Sequence, residues 1–389
     1  MKKKIWIVTG SRAEYGLLKP LIKRIKNAGR YKLEILVTGQ HLATPYGLTF
    51  KEIEKDGFRI SKKIKMLWPG DSELSIARSV GSGIAKFGEL FSKEHPDLLI
   101  VLGDRFEIFA AATAAFIFKI PIAHLHGGEI TSASMDDTFR HAITKMSILH
   151  FVSNPEYKKR VVQLGEQSQR VFSVGAIGID SIKKAKLLSK FELQKELGFK
   201  FGEKNILVTF HPATLETDTV SSQFKELLAA LDNFKNSKII FTHPNSDVGS
   251  LEISRMIDDY VKRNSHKAKA FVSLGTVRYF SLIKSVDVVL GNSSSGIIEV
   301  PSFKKPTVNI GDRQKGRIMA SSVINCKPNR SSIYGALRKA LSEDFKKLSR
   351  KTKNPYGDGK TTERIIRIIG RNIDHINNTT KIFEDIQNV

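Results

Sequence analysis

DLLIVLG, residues 97–103, is a continuous apolar run that starts at an aspartate, ends in a glycine and is followed directly by Asp104 and Arg105. An apolar run without polar alternation is typical of a strand that is buried on both faces. Similar runs, with helical patterns between them, fill the first half of the chain. The predicted strands there are residues 5–9, 33–38 and 121–125, and the predicted helices are residues 14–27, 74–94 and 106–118. This alternation predicts a parallel sheet with helices on both faces.

The alternation starts again after Gly175. The strands predicted in this second series are residues 206–210, 238–242, 286–290 and 307–310, and its clearest helices are residues 223–234 and 251–262. Two such series predict an α/β protein with two doubly wound, Rossmann-like domains that face each other across a central cleft. We place the first domain at residues 1–175 and the second at residues 176–360. The pattern alone leaves the last helix, after Lys360, unassigned.

The net charge narrows the choice of partners. The 389 residues include 63 Lys and Arg against 39 Asp and Glu, which gives a formal charge of +24. A surplus of this size is compatible with a polynucleotide partner. The lysines, however, are scattered along the predicted helices, and no arginine-rich tail or zinc-ligand cluster accompanies them. We therefore predict no nucleic acid but a small anionic substrate such as a nucleotide diphosphate.

Three features predict a cytoplasmic protein without a membrane segment. The first apolar run ends at Val8, which makes it too short for a signal peptide. The most apolar region, residues 98–126, is interrupted by charged residues and cannot cross a bilayer as one helix. The single cysteine, Cys326, fits a reducing compartment.

Polar residues cluster directly after the predicted strands. Ligands of doubly wound sheets bind at the carboxyl ends of the strands, so these loops are candidates for a binding site. The clusters are residues 9–12, 38–41, 103–105, 124–129, 211–212, 243–245, 291–296 and 311–313. Eight clusters, each directly after a predicted strand, are hard to explain by packing alone.

The loop 291–296 is small and rich in hydroxyl groups, and a helix is predicted to start near Gly296. Backbone N–H groups at a helix N-terminus form an anion site, which favours a diphosphate here. The alternative is helix capping by Ser293 or Ser294 without a ligand. Glu299 lies one turn into the predicted helix, where its carboxylate can accept a hydrogen bond from a ribose diol.

Carboxylates follow successive strands of the first sheet, and such pairs suit general acid and base chemistry. They are Asp104, Glu129, Asp136 and Asp137, with His126 beside them. The alternative for Asp104 is a salt bridge to Arg105 or Arg140. For Asp136 the alternative is the N-cap of a helix over residues 137–147.

Other motifs exclude common cofactors. His211 and His243 begin two similar loops, but their wide spacing without cysteines disfavours zinc, so each fits a phosphate contact or a structural role. Residues 354–361 resemble a P-loop, yet Asn354 replaces its first glycine and no strand precedes it. The first strand-end loop lacks the full G-x-G-x-x-G pattern, so we predict no nicotinamide cofactor.

Seven ordered motifs resemble the UDP-N-acetylglucosamine 2-epimerase family. They span residues 9–16, 103–105, 126–129, 140–141, 291–296, 311–317 and 354–359, and they look most like its hydrolysing branch, which releases N-acetylmannosamine and UDP for sialic acid synthesis. The resemblance implies the GT-B architecture, with the C-terminal helix, residues 361–389, joining the first domain. It also implies anti elimination of UDP to a 2-acetamidoglucal, followed by hydration. It implies no metal and no redox cofactor, and it allows a homodimer.

The resemblance also implies residue roles. Arg12, His211, Ser293 and Ser294 would hold the diphosphate, with Asn292 in the same loop, while Glu299 would bind the ribose. Arg313 would lie near the phosphates or the sugar, and Asp104 and Asp136 would be acid–base residues. Many members have His-x-Glu where this chain has His124-Leu125-His126, with Glu129 three residues on. Either His126 or Glu129 would therefore take that catalytic place.

Four alternative functions are compatible with some of these sequence features. The first changes only the sugar, to UDP-N,N'-diacetylbacillosamine in a legionaminic acid pathway. The second is a non-hydrolysing epimerase that returns a UDP-sugar. The third is a GT-B glycosyltransferase, which the paired carboxylates disfavour because a transferase needs only one base. The fourth is a basic nucleic-acid-binding protein without catalysis, whose affinity would fall steeply with salt.

Overall fold

The computed structural model describes residues 2–70, 72–131, 135–212, 217–244, 249–376 and 380–385, without the side chains of residues 217–219. Asn245, in one of the predicted loops, lies outside the described residues. The chain divides into two compact units. Unit 1 comprises Met1–Glu129, Asp136–Ser181 and Tyr356–Val389, and unit 2 comprises Ile130–Met135 and Ile182–Pro355.

Unit 1 is built on a parallel sheet with the strand order β3-β2-β1-β4-β5-β6-β7. The strands are β1 (Lys3–Thr9), β2 (Tyr31–Thr38), β3 (Lys62–Ile64), β4 (Leu98–Leu102), β5 (Ile122–Leu125), β6 (Leu149–Val152) and β7 (Val171–Ser173). The helices between them are α1 (Arg12–Asn27), α2 (Phe50–Lys55), α3 (Glu73–Phe91), α4 (Phe106–Ile117), α5 (Met135–Met146) and α6 (Pro155–Gln163).

Strand β4 shows why the sheet needs helices on both faces. Its five residues are all buried, and successive side chains point to opposite faces. Ile100 lies in a core cluster with Leu18 and Leu21 of α1. Its neighbour Val101 lies in a different cluster with Phe87 of α3. The continuous apolar run thus supplies two hydrophobic cores at once, as predicted for a doubly wound sheet.

Unit 2 repeats this plan with the strand order β10-β9-β8-β11-β12-β13, again all parallel. The strands are β8 (Lys204–Thr209), β9 (Ser237–Thr242), β10 (Ala268–Phe271), β11 (Val288–Gly291), β12 (Thr307–Ile310) and β13 (Val323–Cys326). The helices after β7 are α7 (Ile177–Lys184), α8 (Lys190–Leu197), α9 (Thr217–Leu231), α10 (Ser250–Arg263), α11 (Gly275–Ser285), α12 (Ser294–Ile298), α13 (Arg330–Ala340) and α14 (Glu343–Arg350). The chain passes from unit 1 to unit 2 within α7. The predicted class, two doubly wound α/β domains, is confirmed.

The chain leaves unit 1 after Ser181 and re-enters it at Tyr356. At this crossing the Ala176 N–H donates to the Tyr356 carbonyl at 2.7 Å. Gly175 and Gly357 allow the close approach: a Cβ on Gly175 would lie 2.8 Å from the Thr361 hydroxyl, and one on Gly357 would lie 3.2 Å from the Gly175 Cα. Both glycines have positive φ angles, of 97° and 122°, which larger residues rarely adopt.

The last helix, α15 (Thr361–Asn372), starts beside this crossing. The buried Asp180 carboxylate accepts from the Thr361 and Thr362 N–H groups, each at 2.8 Å, and so caps the helix. Ile365 and Ile369 then bury their side chains in the core that α1 covers. The sequence pattern put the junctions at residues 175 and 360, whereas the compact units divide at residues 181 and 356, so that Asp180 and the start of α15 both belong to unit 1.

Candidate active site

The strand orders of both sheets predict where ligands bind. A doubly wound sheet binds its ligand at the point where the strand order reverses, outside the carboxyl ends of the strands. In unit 1 this point lies between β1 and β4, and in unit 2 between β8 and β11. Arg12 and Asp104 follow the first pair of strands, whereas His211 and Asn292 follow the second pair.

Arg140 is the centre of the unit 1 site. Its side chain is only 2% exposed, and its guanidinium contacts three acceptors from different elements. It forms an ion pair with Asp104, donates to Asp137 Oδ1 at 2.9 Å and donates to the Glu129 carbonyl at 2.8 Å. Burial alone would lower the pKa of Arg140, but the carboxylates of Asp104, Glu129 and Asp137 outweigh it and raise this pKa above its ordinary value.

The salt bridge to Arg140 that was the alternative for Asp104 is therefore present. It does not remove Asp104 from solvent, because 22% of its side chain is exposed. An ion pair with a guanidinium orients a carboxylate. The pairing and a role as an acid–base group at the strand end are thus compatible.

His126 and Glu129 form a second pair in the loop after β5. His126 Nδ1 lies 3.0 Å from Glu129 Oε1, and Ser153, which follows β6, donates its hydroxyl to the same oxygen at 3.2 Å. Glu129 is 3% exposed and His126 is 13% exposed. His124 lies in β5, directly before this loop. Burial lowers the pKa of His124 to about 3, and this neutral imidazole lies 2.7 Å from the Gly103 carbonyl.

The helix α5 carries the remaining acidic residues. It spans Met135–Met146, so Asp136 and Asp137 both lie in its first turn. The alternative that made Asp136 the N-cap is wrong, since the helix already includes this residue. Acidic residues in a first turn interact favourably with the helix dipole. Asp137 is tied to Arg140 and lies 3.5 Å from His141 Nε2.

Asn292 holds three loops of unit 2 together. Its side-chain Oδ1 accepts from the His211 N–H at 2.7 Å, and its Nδ2 donates to the His211 carbonyl at 2.8 Å. Its own carbonyl accepts from Arg313 at 3.2 Å and from the Gln314 side chain at 2.8 Å. The loops after β8, β11 and β12 are therefore fixed relative to one another through a single residue.

The hydroxyl-rich loop leads into a short helix that starts at Ser294, close to the predicted start near Gly296. Ser293 is the N-cap of α12 and its hydroxyl accepts from the Ser295 N–H at 3.3 Å, which agrees with the capping alternative. The helix has five residues, so its dipole is small, and an anion here would depend on hydroxyl groups and on individual N–H groups. Tyr279 donates to the Ser295 hydroxyl at 2.9 Å, and Glu299 ends the helix with 9% exposure.

Two further predicted residues are positioned by other elements. Arg12 begins α1 in unit 1, directly after the N-cap Ser11. His243, at the end of β9 in unit 2, lies 3.4 Å from Asp258. Sequence reasoning missed the positions of Gln314, Tyr279 and Ser153, because nothing in their local pattern marks a long-range contact. Among the residues that the structure describes, no three His, Cys, Asp or Glu gather as a metal site. Within the same residues, no helix has the length and apolar character needed to cross a bilayer.

A family model of UDP-N-acetylglucosamine 2-epimerase matches residues 23–370 of the chain. The chain belongs to this family. It is 43% identical over 345 residues to a GDP/UDP-N,N'-diacetylbacillosamine 2-epimerase (hydrolyzing) from Campylobacter jejuni, with 89% of each chain covered. It is 40% identical over 385 residues to the polysialic acid biosynthesis protein P7 of Escherichia coli, covering 99% of this chain and 98% of that protein.

The fold of this 2-epimerase family member also matches a solved structure. The UDP-GlcNAc 2-epimerase from Neisseria meningitidis bound to UDP-GlcNAc has a TM-score of 0.83 at 18% identity, with 95% of this chain and 100% of that chain covered. This likeness confirms the predicted GT-B-like fold class. The family prediction and the prediction of an enzyme related to UDP-sugar 2-epimerases are confirmed as well.

Proposed function

We propose that this chain is a hydrolysing 2-epimerase that converts UDP-N,N'-diacetylbacillosamine to UDP and the free sugar inverted at C2. The observation that carries the proposal is the 43% identity to a relative whose name states hydrolysing 2-epimerisation of the GDP- or UDP-linked form of this sugar. It replaces UDP-N-acetylglucosamine as the first choice of donor. A cytoplasmic location and a homodimer are further parts of the proposal.

The leaving diphosphate is assigned to the cationic and hydroxyl groups of the predicted binding set. His211, Ser293 and Arg313 belong to loops that Asn292 holds together, which supports a pre-organised anion site. Hydrogen-bond donors that are already in place stabilise charge as it develops on the leaving oxygen. We assign Ser294 and Arg12 to the same diphosphate and Glu299 to the ribose.

Proton transfer at C2 is assigned to the acid–base groups of unit 1. No carbonyl acidifies the C2 proton, so cleavage of the C1–O bond must run ahead and leave positive character at C1. A base then takes the C2 proton, the former C–H electron pair forms the glycal double bond, and UDP departs with the C1–O pair. Water adds to C1 while an acid returns a proton to the other face of C2. We assign Asp104 and Asp136 to this acid–base work, with His126 or Glu129 as a further participant.

Hydrolysing epimerisation of UDP-N-acetylglucosamine is the second candidate. It is supported by the 40% identity to protein P7, whose name places that protein in polysialic acid biosynthesis. The two donors differ at C6 and at C4. At C4 the diacetamido donor carries an acetamido group, whereas UDP-N-acetylglucosamine carries a hydroxyl group. A pocket that hydrogen-bonds one polar substituent can discriminate strongly against an analogue that lacks it.

Parallel assays with the two donors in heavy water test the proposal. We expect UDP release and a free sugar deuterated at C2, with kcat/KM at least about 10-fold higher for the diacetamido donor. A higher value for UDP-N-acetylglucosamine would favour the second candidate. A UDP-linked product would indicate a non-hydrolysing enzyme, and an unlabelled product would contradict proton removal at C2.

Asp104→Asn provides the matched test of the site. The amide keeps the size of the side chain and an acceptor for Arg140 but cannot act as a carboxylate. We expect turnover to fall by about 100-fold or more while UDP binding persists, because a positioned acid or base contributes about that much. Near-normal turnover would remove Asp104 from the mechanism.

A further inference from the structure

His126 has an unusual backbone conformation for its residue type. Its φ is 66°, in the left-handed region, which costs a non-glycine residue roughly 1–2 kcal/mol. Its N–H donates to the Phe151 carbonyl at 2.9 Å, so the strained residue is fixed to the neighbouring strand. Strain of this kind persists where the surrounding structure holds it, and it is frequent at functional sites.

The hydrogen bonds of the His126 ring define its tautomer. Nε2 lies 3.3 Å from the backbone nitrogen of Ile177, and since an amide N–H can only donate, Nε2 must carry the lone pair. The ring proton therefore resides on Nδ1, which donates to Glu129 Oε1 at 3.0 Å. An imidazole with its lone pair on Nε2 and a carboxylate beside Nδ1 has the arrangement of a general base with an orienting acid.

Glu129 is placed to act on His126 and not on a ligand. Its carboxylate is 3% exposed, and one oxygen receives both the His126 ring and the Ser153 hydroxyl. Its carbonyl accepts from Arg140, so the main chain is fixed as well. The imidazole lies nearer to solvent, with 13% exposure. Of the two groups, His126 is thus the one that a substrate can reach.

We infer that His126 and Glu129 form a dyad in which His126 Nε2 takes the C2 proton, while Glu129 is a positioning residue that acts through the ring. The inference rests on the proposed function and divides a role that the sequence left open between these residues. The C2–H pair becomes the C1=C2 double bond, the C1–O pair leaves with UDP, and the imidazolium formed is stabilised by the Glu129 carboxylate. Its proton then exchanges with water.

Substrate must displace one weak contact for this step. The Ile177 N–H bond to Nε2 is long at 3.3 Å, and Ile177 is the first residue of α7, where an N–H has no partner within the helix. Around the ring, the loop supplies Glu129, helix α5 supplies Arg140, and strand β5 supplies His124, which burial keeps neutral. The residue after strand β6, Ser153, contributes its hydroxyl, and the loop after β4 contributes Asp104 through Arg140.

Introducing Glu129→Gln into two proteins, the wild type and the His126→Glu variant, separates the role of the base from the role of the positioning residue. In the wild type, Glu129→Gln should lower kcat about 30-fold with little change in KM, and the acid limb of the kcat/KM profile should move to lower pH. His126→Glu supplies a carboxylate that needs no ring to act through. In that background, we expect Glu129→Gln to change kcat less than about 3-fold.

Three results would overturn the dyad. One is an equal loss from Glu129→Gln in both backgrounds, and another is an acid limb that stays in place. The third is substantial turnover in His126→Asn, which would make Glu129 itself the base. If His126→Glu is inactive, the comparison of the two proteins cannot be made. The test of the dyad is then whether Glu129→Gln alone moves the acid limb of the kcat/KM profile to lower pH.

Imidazole ¹⁵N NMR tests the dyad without turnover. We expect His126 to carry its proton on Nδ1 in the wild type and to lose this preference in Glu129→Gln, with His124 unchanged as the internal reference. A wild-type His126 with its proton on Nε2 would contradict the inference. Absence of turnover with every UDP-sugar would instead contradict the proposed function, so the two failures are distinguishable.

Discussion

The side-chain amide of Asn292 closes a ring of two hydrogen bonds with the backbone of His211, accepting at 2.7 Å and donating at 2.8 Å. Asn292 is 3% exposed, so a smaller side chain would leave the His211 N–H and carbonyl without these partners. We expect Asn292→Ala to weaken UDP binding by about 10-fold or more, since an unsatisfied buried group costs about 1–3 kcal/mol. Isothermal titration with UDP measures the effect.

Asn205 is the matched control for this prediction. It is also buried in unit 2, where its side chain bridges Gly202 and Asp287 away from the strand-end loops. Asn205→Ala should destabilise the protein and leave the affinity for UDP unchanged within about 2-fold. Equal affinity in Asn292→Ala and the wild type would show that the His211 loop does not need this ring of hydrogen bonds for binding.

Arg140 is predicted to be needed for folding as well as for turnover. Removing one partner of a buried charge network destabilises a protein by about 3–5 kcal/mol, because the remaining charges stay buried and unpaired. We therefore expect Arg140→Met to lower the free energy of unfolding by that amount in a urea titration. Asp137→Asn removes only the charge of an acceptor that is 27% exposed, so its effect should be below about 1 kcal/mol. Similar losses in both variants would contradict the central position of Arg140.

Most inner strands of both sheets could be predicted from sequence, whereas the edge strands could not. The inner strand β6 was missed as well, although all four of its residues are buried. Central strands such as β4 are buried on both faces and therefore read as continuous apolar runs. The edge strands β3 and β13 have three and four residues and remain partly exposed, so no apolar run marks them. The short strand β7 was missed for the same reason.

The site divides in a similar way. Loops after strands were predictable, because parallel topology places their residues at one edge of a sheet. Of the Arg140 network, only the pairing with Asp104 was named, as an alternative. The contacts with Glu129 and Asp137 were not predicted, because these acceptors come from different elements and periodicity carries no information about such contacts. No length was predicted for α12, which ends at Ile298 because Pro301 follows closely and the next turn is a 3-10 turn.

The Asp180 cap is predicted to stabilise the crossing between the two units. Its carboxylate accepts from two N–H groups and from the Thr362 hydroxyl at 2.7 Å. Asp180→Ala leaves these buried donors without a partner, so we expect the free energy of unfolding to fall by about 2–4 kcal/mol. Asn329→Ala removes the cap of α13, which lies at the surface, and should cost about 1 kcal/mol. If urea titrations show equal losses of unfolding free energy in both variants, the Asp180 cap stabilises the protein no more than an ordinary helix cap.

Buried neutral histidines are predicted to make the protein sensitive to mild acid. Burial lowers the pKa of His41 to about 4, while the unfolded chain takes up a proton near pH 6.5. Below pH 6.5 the unfolded state therefore binds more protons, and stability falls as the pH drops toward 4. Between pH 6.5 and 5 this amounts to about 2 kcal/mol for one such histidine. His41→Gln should reduce the pH dependence of unfolding by that amount, whereas the exposed His95→Gln should not alter it.

Lys381 is predicted to fix the end of the helix whose first turns carry Asp136 and Arg140. Its ammonium donates to the carbonyls of Lys145 and Ser147 at 2.6 and 2.7 Å, which fills the C-terminus of α5, and it pairs with Glu166 at 2.7 Å. Glu166 is 3% exposed, and although burial opposes its charge, hydrogen bonds from His150, Lys145 and Lys381 lower its pKa to about 2.

Lys381→Met keeps the length of the side chain but removes every one of these donors. We expect faster amide hydrogen exchange in the last turn of α5 and a loss of about 2–3 kcal/mol in the free energy of unfolding, because Glu166 loses a charged partner while the helix carbonyls lose their cap. Ile382→Ser changes the next residue, which is 60% exposed, and is the matched control. A lysine that caps α5 cannot be removed without faster exchange in the last turn of this helix. Equal exchange rates in Lys381→Met and Ile382→Ser would therefore show that the C-terminal segment contacts α5 without stabilising it.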